Sequence, residues 1–121
     1  MAKNKMSKIK VERNNVFFTG LNELDEQDAE SIKDLIYDKY PSIEREIKAP
    51  AKLKVHFKKY KHGGREKYSV HLMIDYPGKP IVAEKVYEAV RYDVIAIVHK
   101  LLEKIKKEVI KKFKTNTSYD K

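Results

Sequence analysis

Two stretches of alternating residues flank a pair of glycines, and nothing else in this chain limits its fold as tightly. Leu53, Val55 and Phe57 alternate with Lys52, Lys54, His56 and Lys58. After His62-Gly63-Gly64, Tyr68, Val70, Leu72 and Ile74 alternate with Ser69, His71, Met73 and Asp75. Successive side chains of a strand point to opposite faces, so each stretch has one apolar and one polar face. The glycine pair supplies the turn between them. The pattern predicts a β-hairpin whose apolar face needs a cover and whose polar face carries bases.

Helical periodicity on both sides of the hairpin supplies that cover. Asp25 is a good N-cap, with Asp28 at the third helical position as a short analogue of a capping box. Ala29, Ile32, Leu35, Ile36 and Tyr40 then recur at helical spacing. Pro41 is expected to interrupt this helix, with Ser42 capping a further short one through Ile47. Near the other end, Val94, Ile97, Val98, Leu101, Ile105 and Val109 form a second apolar stripe. Residues 8–19, with Ile9, Val11 and Val16-Phe17-Phe18, read as an edge-like strand interrupted at Asn14-Asn15. Gly20 and Asn22 allow the turn that follows it.

Pro77-Gly78 marks another turn. Beyond it, Ile81, Ala83 and Tyr87 fit a strand, while Val86, Val90 and Val94 fit an early helix start. We read a strand to about Tyr87 and a helix from about Arg91 to Lys114. The order is β-α-β-β-β-α, an α+β two-layer sandwich with two helices on one face of a four-stranded sheet. A chain of 121 residues suits one such domain, here residues 8–114, with polar flexible tails at 1–7 and 115–121.

Charge is abundant and unevenly placed. The net charge is +9, which favours anionic partners. Glu23 to Glu46 holds nine acids and three bases, whereas Lys48 to Glu66 holds seven bases and one acid. His99 to Lys121 adds eight bases against three acids. An acidic first helix and basic surfaces elsewhere are therefore expected. Within the last helix, Lys100, Lys104, Lys107, Lys111 and Lys114 follow at steps of four, three, four and three. Those steps place the five ammonium groups within an arc of roughly 80° along about 21 Å of axis, away from the apolar stripe. Such a ladder suits a polyanion with regularly spaced charge. Lysine-rich helix faces also serve simply to keep a protein solvated.

Other chemistries are poorly supported. With no cysteine, a disulfide framework or thiolate metal site is impossible and a reducing, cytoplasmic setting fits. No apolar run approaches membrane-spanning length, so no membrane partner is expected. His56 and His71 could face one another across the hairpin, but two imidazoles without a positioned carboxylate make a poor metal site. No nucleophile motif, Walker loop or dinucleotide fingerprint is present. We expect no enzyme activity, cofactor, metal or small-molecule substrate. Lys54 and Lys58, beside His56, Tyr60, His71 and Met73, give the hairpin's polar face a composition that can touch RNA or merely be solvated.

The run Tyr92-Asp93-Val94-Ile95-Ala96-Ile97-Val98, followed by Leu101-Leu102-Glu103-Lys104-Ile105-Lys106-Lys107, resembles the second helix of the ribosome hibernation promoting factors, the ribosome-associated translation inhibitors. Asp93 matches the acid that opens that helix and is a plausible cap, and Glu103-Lys104-Ile105 matches an acid-Lys-Leu step. Lys107 and Lys111 fall where members carry bases. Leu53-Lys54-Val55-His56, Tyr68-Ser69-Val70-His71-Leu72 and Pro77-Gly78-Lys79 resemble the family's middle strands and third turn. The resemblance covers roughly residues 8–114 and implies the β-α-β-β-β-α fold. It also implies docking on small-subunit rRNA near the decoding region, with Lys104, Lys107 and Lys111 on phosphate, so that translation is inhibited without chemistry. The acidic first helix departs from the family pattern. A general structured-RNA-binding module, or a protein-interaction domain using that acidic helix, remains open on the same residues.

Overall fold

The computed structural model describes residues 11–13, 15–88 and 93–119. The expected N-terminal tail, the strand start at 8–10, the helix start at Arg91 and the end of the C-terminal tail lie outside the described residues. In chain order the elements are β1 (Val11–Arg13), β2 (Val16–Thr19), a 3-10 turn (Leu21–Glu23), α1 (Glu26–Glu44), β3 (Lys52–His62), β4 (Arg65–Asp75), β5 (Ile81–Glu88) and α2 (Val94–Tyr119).

The alternating stretches form the β3–β4 hairpin, in antiparallel register from Lys52↔Asp75 to His62↔Arg65. Gly63 and Gly64 connect them with φ of +61° and +79°. A two-residue turn that matches the twist of its strands needs positive φ at both central positions, which glycine adopts without strain. Leu53, Val55, Phe57, Val70, Leu72 and Ile74 are all buried, so one face of the hairpin is core along most of its length. The ambiguous piece after Pro80 is a strand, β5, pairing antiparallel with β4 from Ile74↔Ile81 to Lys67↔Glu88.

The sheet order is β1-β2-β3-β4-β5. β2 and β3 pair in parallel, Val16 opposite Leu53 and Phe18 opposite Val55. Parallel neighbours need a crossover, and α1 provides it. The interruption at Asn14-Asn15 does more than break the opening strand. β1 turns back antiparallel on β2, with Asn15 in the left-handed region at φ +65°, where asparagine is among the few residues often found. The opening segment thus contributes two short strands. After β2 the backbone passes directly over Phe57, since a Cβ on Gly20 would stand 2.0 Å from the Phe57 carbonyl oxygen. Only glycine fits there.

Both helices lie on the apolar face, completing the α+β two-layer sandwich. α1 buries Ile32, Ile36, Tyr40 and Ile43, and α2 buries Val94, Ile97, Val98, Leu101, Leu102, Ile105 and Val109. Each such side chain contributes about 1.5–3 kcal/mol when fully removed from water. Exposed ion pairs add about 0–1 kcal/mol each, so this core holds the fold. The helices run side by side in the same direction. Asp28 and Asp93 interact near their N-termini, while Lys106 Nζ donates to Ser42 Oγ at 3.3 Å further along.

Four local expectations are corrected. Pro41 does not break α1, which continues to Glu44. Proline in the last turn removes a single helical donor, and the Arg45 N–H still reaches the Pro41 carbonyl at 3.1 Å. Ser42 is accordingly no cap: its hydroxyl donates back to the Lys39 carbonyl at 2.9 Å. Asp25 occupies the N-cap position without a side-chain cap bond, and its backbone carbonyl accepts from Ala29 at 2.9 Å. α2 runs to Tyr119 rather than Lys114, because neither glycine nor proline occurs after Val94 to stop it.

Candidate nucleic-acid interface

Helix α2 starts from a defined cap. The Asp93 carboxylate Oδ1 accepts the Ile95 N–H at 2.9 Å, and its carbonyl accepts the Ile97 N–H at 3.1 Å. A capping side chain at this position fixes where the first turn begins, and the phase of everything downstream follows from it. With Leu101, Ile105 and Val109 buried against the sheet, helical geometry determines the direction of every other α2 side chain.

Lys100, Lys104, Lys107 and Lys111 are all exposed. Lys114 is on the same helix, but its side chain lies outside the described residues. The ladder occupies the flank of α2 turned away from α1. On the α1 side, His99, Leu102, Glu103 and Lys106 line a cleft with Lys39, Ser42 and Ile43. On the other side, Glu108, Lys111 and Lys112 line a groove with Lys79, Pro80, Ile81 and Val82 at the start of β5. Lys104 lies two turns before Lys111 and shares its side of the helix.

The fold adds three bases to this flank that spacing alone did not reveal. Lys79 and Lys112 line the same groove as Lys111, and Lys112 Nζ also sits 5.9 Å from the centroid of the Tyr76 ring. Lys85 has the strand parity of Ile81, Ala83 and Tyr87, which are buried beneath the helices, yet it is itself exposed. It therefore projects from the sheet edge on the same side as α2. The signal in the sequence was a lysine at a core-parity position of a strand, interpretable only once β5 is known to be an edge.

Lys54 and Lys58 are not brought to the ladder. Both are exposed and alternate with buried Leu53, Val55 and Phe57, which puts them on the open face of the sheet, opposite the helices. That face is electrically mixed. Lys54 Nζ lies 3.5 Å from Asp75 Oδ2, and His71 Nε2 lies 3.6 Å from Glu84 Oε1. Lys52 Nζ stands 5.7 Å from the Phe17 ring centroid. His56 and His71 are directly opposite one another, and Glu84 is the carboxylate beside His71. Among the described residues, however, no three His, Asp or Glu converge as a metal site. On α2 the contrast is sharp. Among the described residues no carboxylate lies within ion-pair distance of Lys100, Lys104, Lys107 or Lys111.

Titration shifts concentrate away from the ladder. At the shared N-terminal end of the helices, partial burial and the neighbouring Asp25 and Asp93 carboxylates raise the pKa of Asp28. Burial, then Tyr68, Asp93 and Asp28, raises that of Tyr87. The Tyr40 phenol is pushed up by burial and by Glu44. Its hydroxyl is buried with no hydrogen-bond partner among the described residues, in a wall of the small cavity formed with Asn15, Val16, Tyr37, Pro41 and Glu44. No helix among the described residues is long and apolar enough to cross a membrane.

Neither a scan of protein-family models nor a search of curated proteins finds a match to this sequence. Among solved structures, the N-terminal domain of Protein Y from Thermus thermophilus is similar, at 19% identity and a TM-score of 0.49, over 65% of this chain and 79% of that one.

Proposed function

We propose that this chain is a ribosome-binding factor that lays the outer flank of α2 on small-subunit rRNA near the decoding region and inhibits translation by occupying it. The observation that carries the RNA reading is the ladder itself. Lys100, Lys104, Lys107 and Lys111 project from one capped, well-buried helix, and no carboxylate neutralises them among the described residues. A polyanion meets a preset row of cations there, with little side-chain pairing to break first. The choice of rRNA at the decoding region is supported by the resemblance of residues 92–107 to the hibernation factors' second helix. The mechanism is steric and electrostatic, and no side chain needs to act as acid, base or nucleophile.

The test is sedimentation of the chain with purified small subunits through sucrose gradients of increasing salt. Each phosphate neutralised releases counterions, so four lysine contacts should give log affinity a slope of about −3 against log salt. Comigration at low salt and release at moderate salt is the expected result. A chain that stays at the top of the low-salt gradient would refute the proposal. Equal retention by an unrelated structured RNA would reduce it to general RNA binding.

A further inference from the structure

β5 is the last strand of the sheet and pairs only with β4 among the described residues. Its far side therefore presents unpaired backbone donors and acceptors at alternate residues. The two sides of that edge differ in chemistry. On the open face stand Val82 and Val86, 43% and 53% exposed, the large apolar residues most open to solvent among those described, with Glu84 between them turned toward His71 of β4. On the helix face stand Lys85 and, across the groove of about 480 Å³ at the start of β5, Lys79, Lys111 and Lys112 with a single carboxylate, Glu108. Lys104 continues the same flank along α2.

We infer that the β5 edge binds an extended acidic peptide of another protein by strand addition, its residues alternating between apolar and acidic. Main-chain hydrogen bonds to β5 would supply the affinity common to such complexes, and side-chain alternation the specificity. Every second residue of the peptide would pack beside Val82 and Val86, and those between would direct carboxylates at Lys85, Lys104 and Lys111. Charge selects this occupant over two others. A second copy of the chain joined edge to edge would set Lys85 and the α2 ladder of each protomer against those of its partner, the repulsion by which charged edges resist self-association. A nucleic-acid strand would meet the lysines but has no alternating backbone amides for the open carbonyls of β5, and its phosphates gain nothing from the valines. The inference does not depend on the rRNA reading. If both hold, the shared lysines make peptide and RNA competitors.

The probe is a capped peptide of about eight residues, the length of an ordinary strand, alternating glutamate and valine. A peptide of the same composition with its glutamates and valines in two blocks is the control. Binding to the full chain is followed by fluorescence anisotropy, and the site by amide hydrogen exchange. The alternating peptide should bind at least about tenfold more tightly than the control and slow exchange along β5. The double variant Val82→Ser/Val86→Ser should lose about tenfold in affinity while melting as the parent does, since both positions are exposed. Lys85→Glu should weaken the acidic peptide as well, by reversing one charge. Equal binding of the two peptides, or protection confined to α2, would overturn the inference. So would equal protection of β5 by a single-stranded RNA of similar length, or a concentration-dependent dimer that protects β5 without any peptide.

Discussion

The outer flank of α2 and the open face of the sheet both carry lysines, and they differ in what stands between them. On α2, four described lysines come from one continuous helix whose hydrogen bonds fix their spacing. Although Glu108 lines the groove beside Lys111, no described carboxylate is within ion-pair distance of any of the four. On the sheet, Lys52, Lys54 and Lys58 share their surface with Asp75, Glu84, Met73 and Val82, and Lys54 already has an acidic neighbour at 3.5 Å. An exposed pair at that distance is worth only about 1 kcal/mol, but a phosphate arriving at Lys54 must displace it. A count of basic residues treats the two surfaces alike. The pairing and regularity of the cations separate them.

The largest effect should come from the side of α2 that holds the ladder in place. Ile105→Ala should lower stability by about 2–4 kcal/mol, because Ile105 is fully buried against the sheet and its truncation leaves a cavity. An unchanged thermal melt would mean that Ile105 does not face the sheet and that the ladder is phased differently. Asp93→Ala should cost about 1 kcal/mol through loss of the cap. Circular dichroism melts with Asp93→Asn as the retained-cap control would check it.

Smaller effects discriminate between the surfaces directly. Replacing Lys104 or Lys107 singly by glutamine should reduce the salt slope of small-subunit binding by about one unit each, whereas Lys54→Gln should leave it nearly unchanged. Equal reductions would erase the distinction between the surfaces. Asp28 gives a weaker, pH-dependent test. Its folded pKa lies above the unfolded value through partial burial and the Asp25 and Asp93 charges. The stabilisation linked to its proton is therefore complete below the unfolded pKa and is lost as pH rises through the folded one. Asp28→Asn should slightly raise the melting temperature at neutral pH, and the gain should vanish in acid. The smallest change belongs to Lys104→Ala, within about 0.5 kcal/mol of the parent, although Lys104 is the immediate neighbour of Ile105.

Much of this architecture is written in periodicity. The hairpin was legible because Leu53 to Phe57 alternates strictly and Val70 to Ile74 does so except at Met73, and Gly63-Gly64 admits few turns. The α2 core stripe was legible for the same reason at the helical period, whereas the Asp93 cap came only from the resemblance to the hibernation factors' second helix. Pro41 misled because a breaker's effect depends on how much helix lies beyond it, and here only three residues of α1 follow. The reversal between Arg13 and Val16 was visible only as an interruption, since two asparagines do not specify whether a strand bends or turns back. The site was half legible. Helical spacing gave the ladder, but grouping Lys54 and Lys58 with it required knowing which layer each occupies. Lys79, Lys85 and Lys112 reach the flank only through the position of β5 beside α2.

The central claim is that the ordered α2 flank, and not basic charge in general, engages the ribosome. Two triple variants with the same change in net charge test it: Lys104→Glu/Lys107→Glu/Lys111→Glu on the helix, and Lys52→Glu/Lys54→Glu/Lys58→Glu on the open sheet face. All six side chains are exposed, so both variants should melt near the parent. The measurement is the apparent dissociation constant for purified small subunits at one fixed, low salt concentration. The helix variant should lose at least about a hundredfold in affinity, and the sheet variant should stay within about threefold of the parent. Parent-like binding by the helix variant, or an equal loss in both, would contradict that claim.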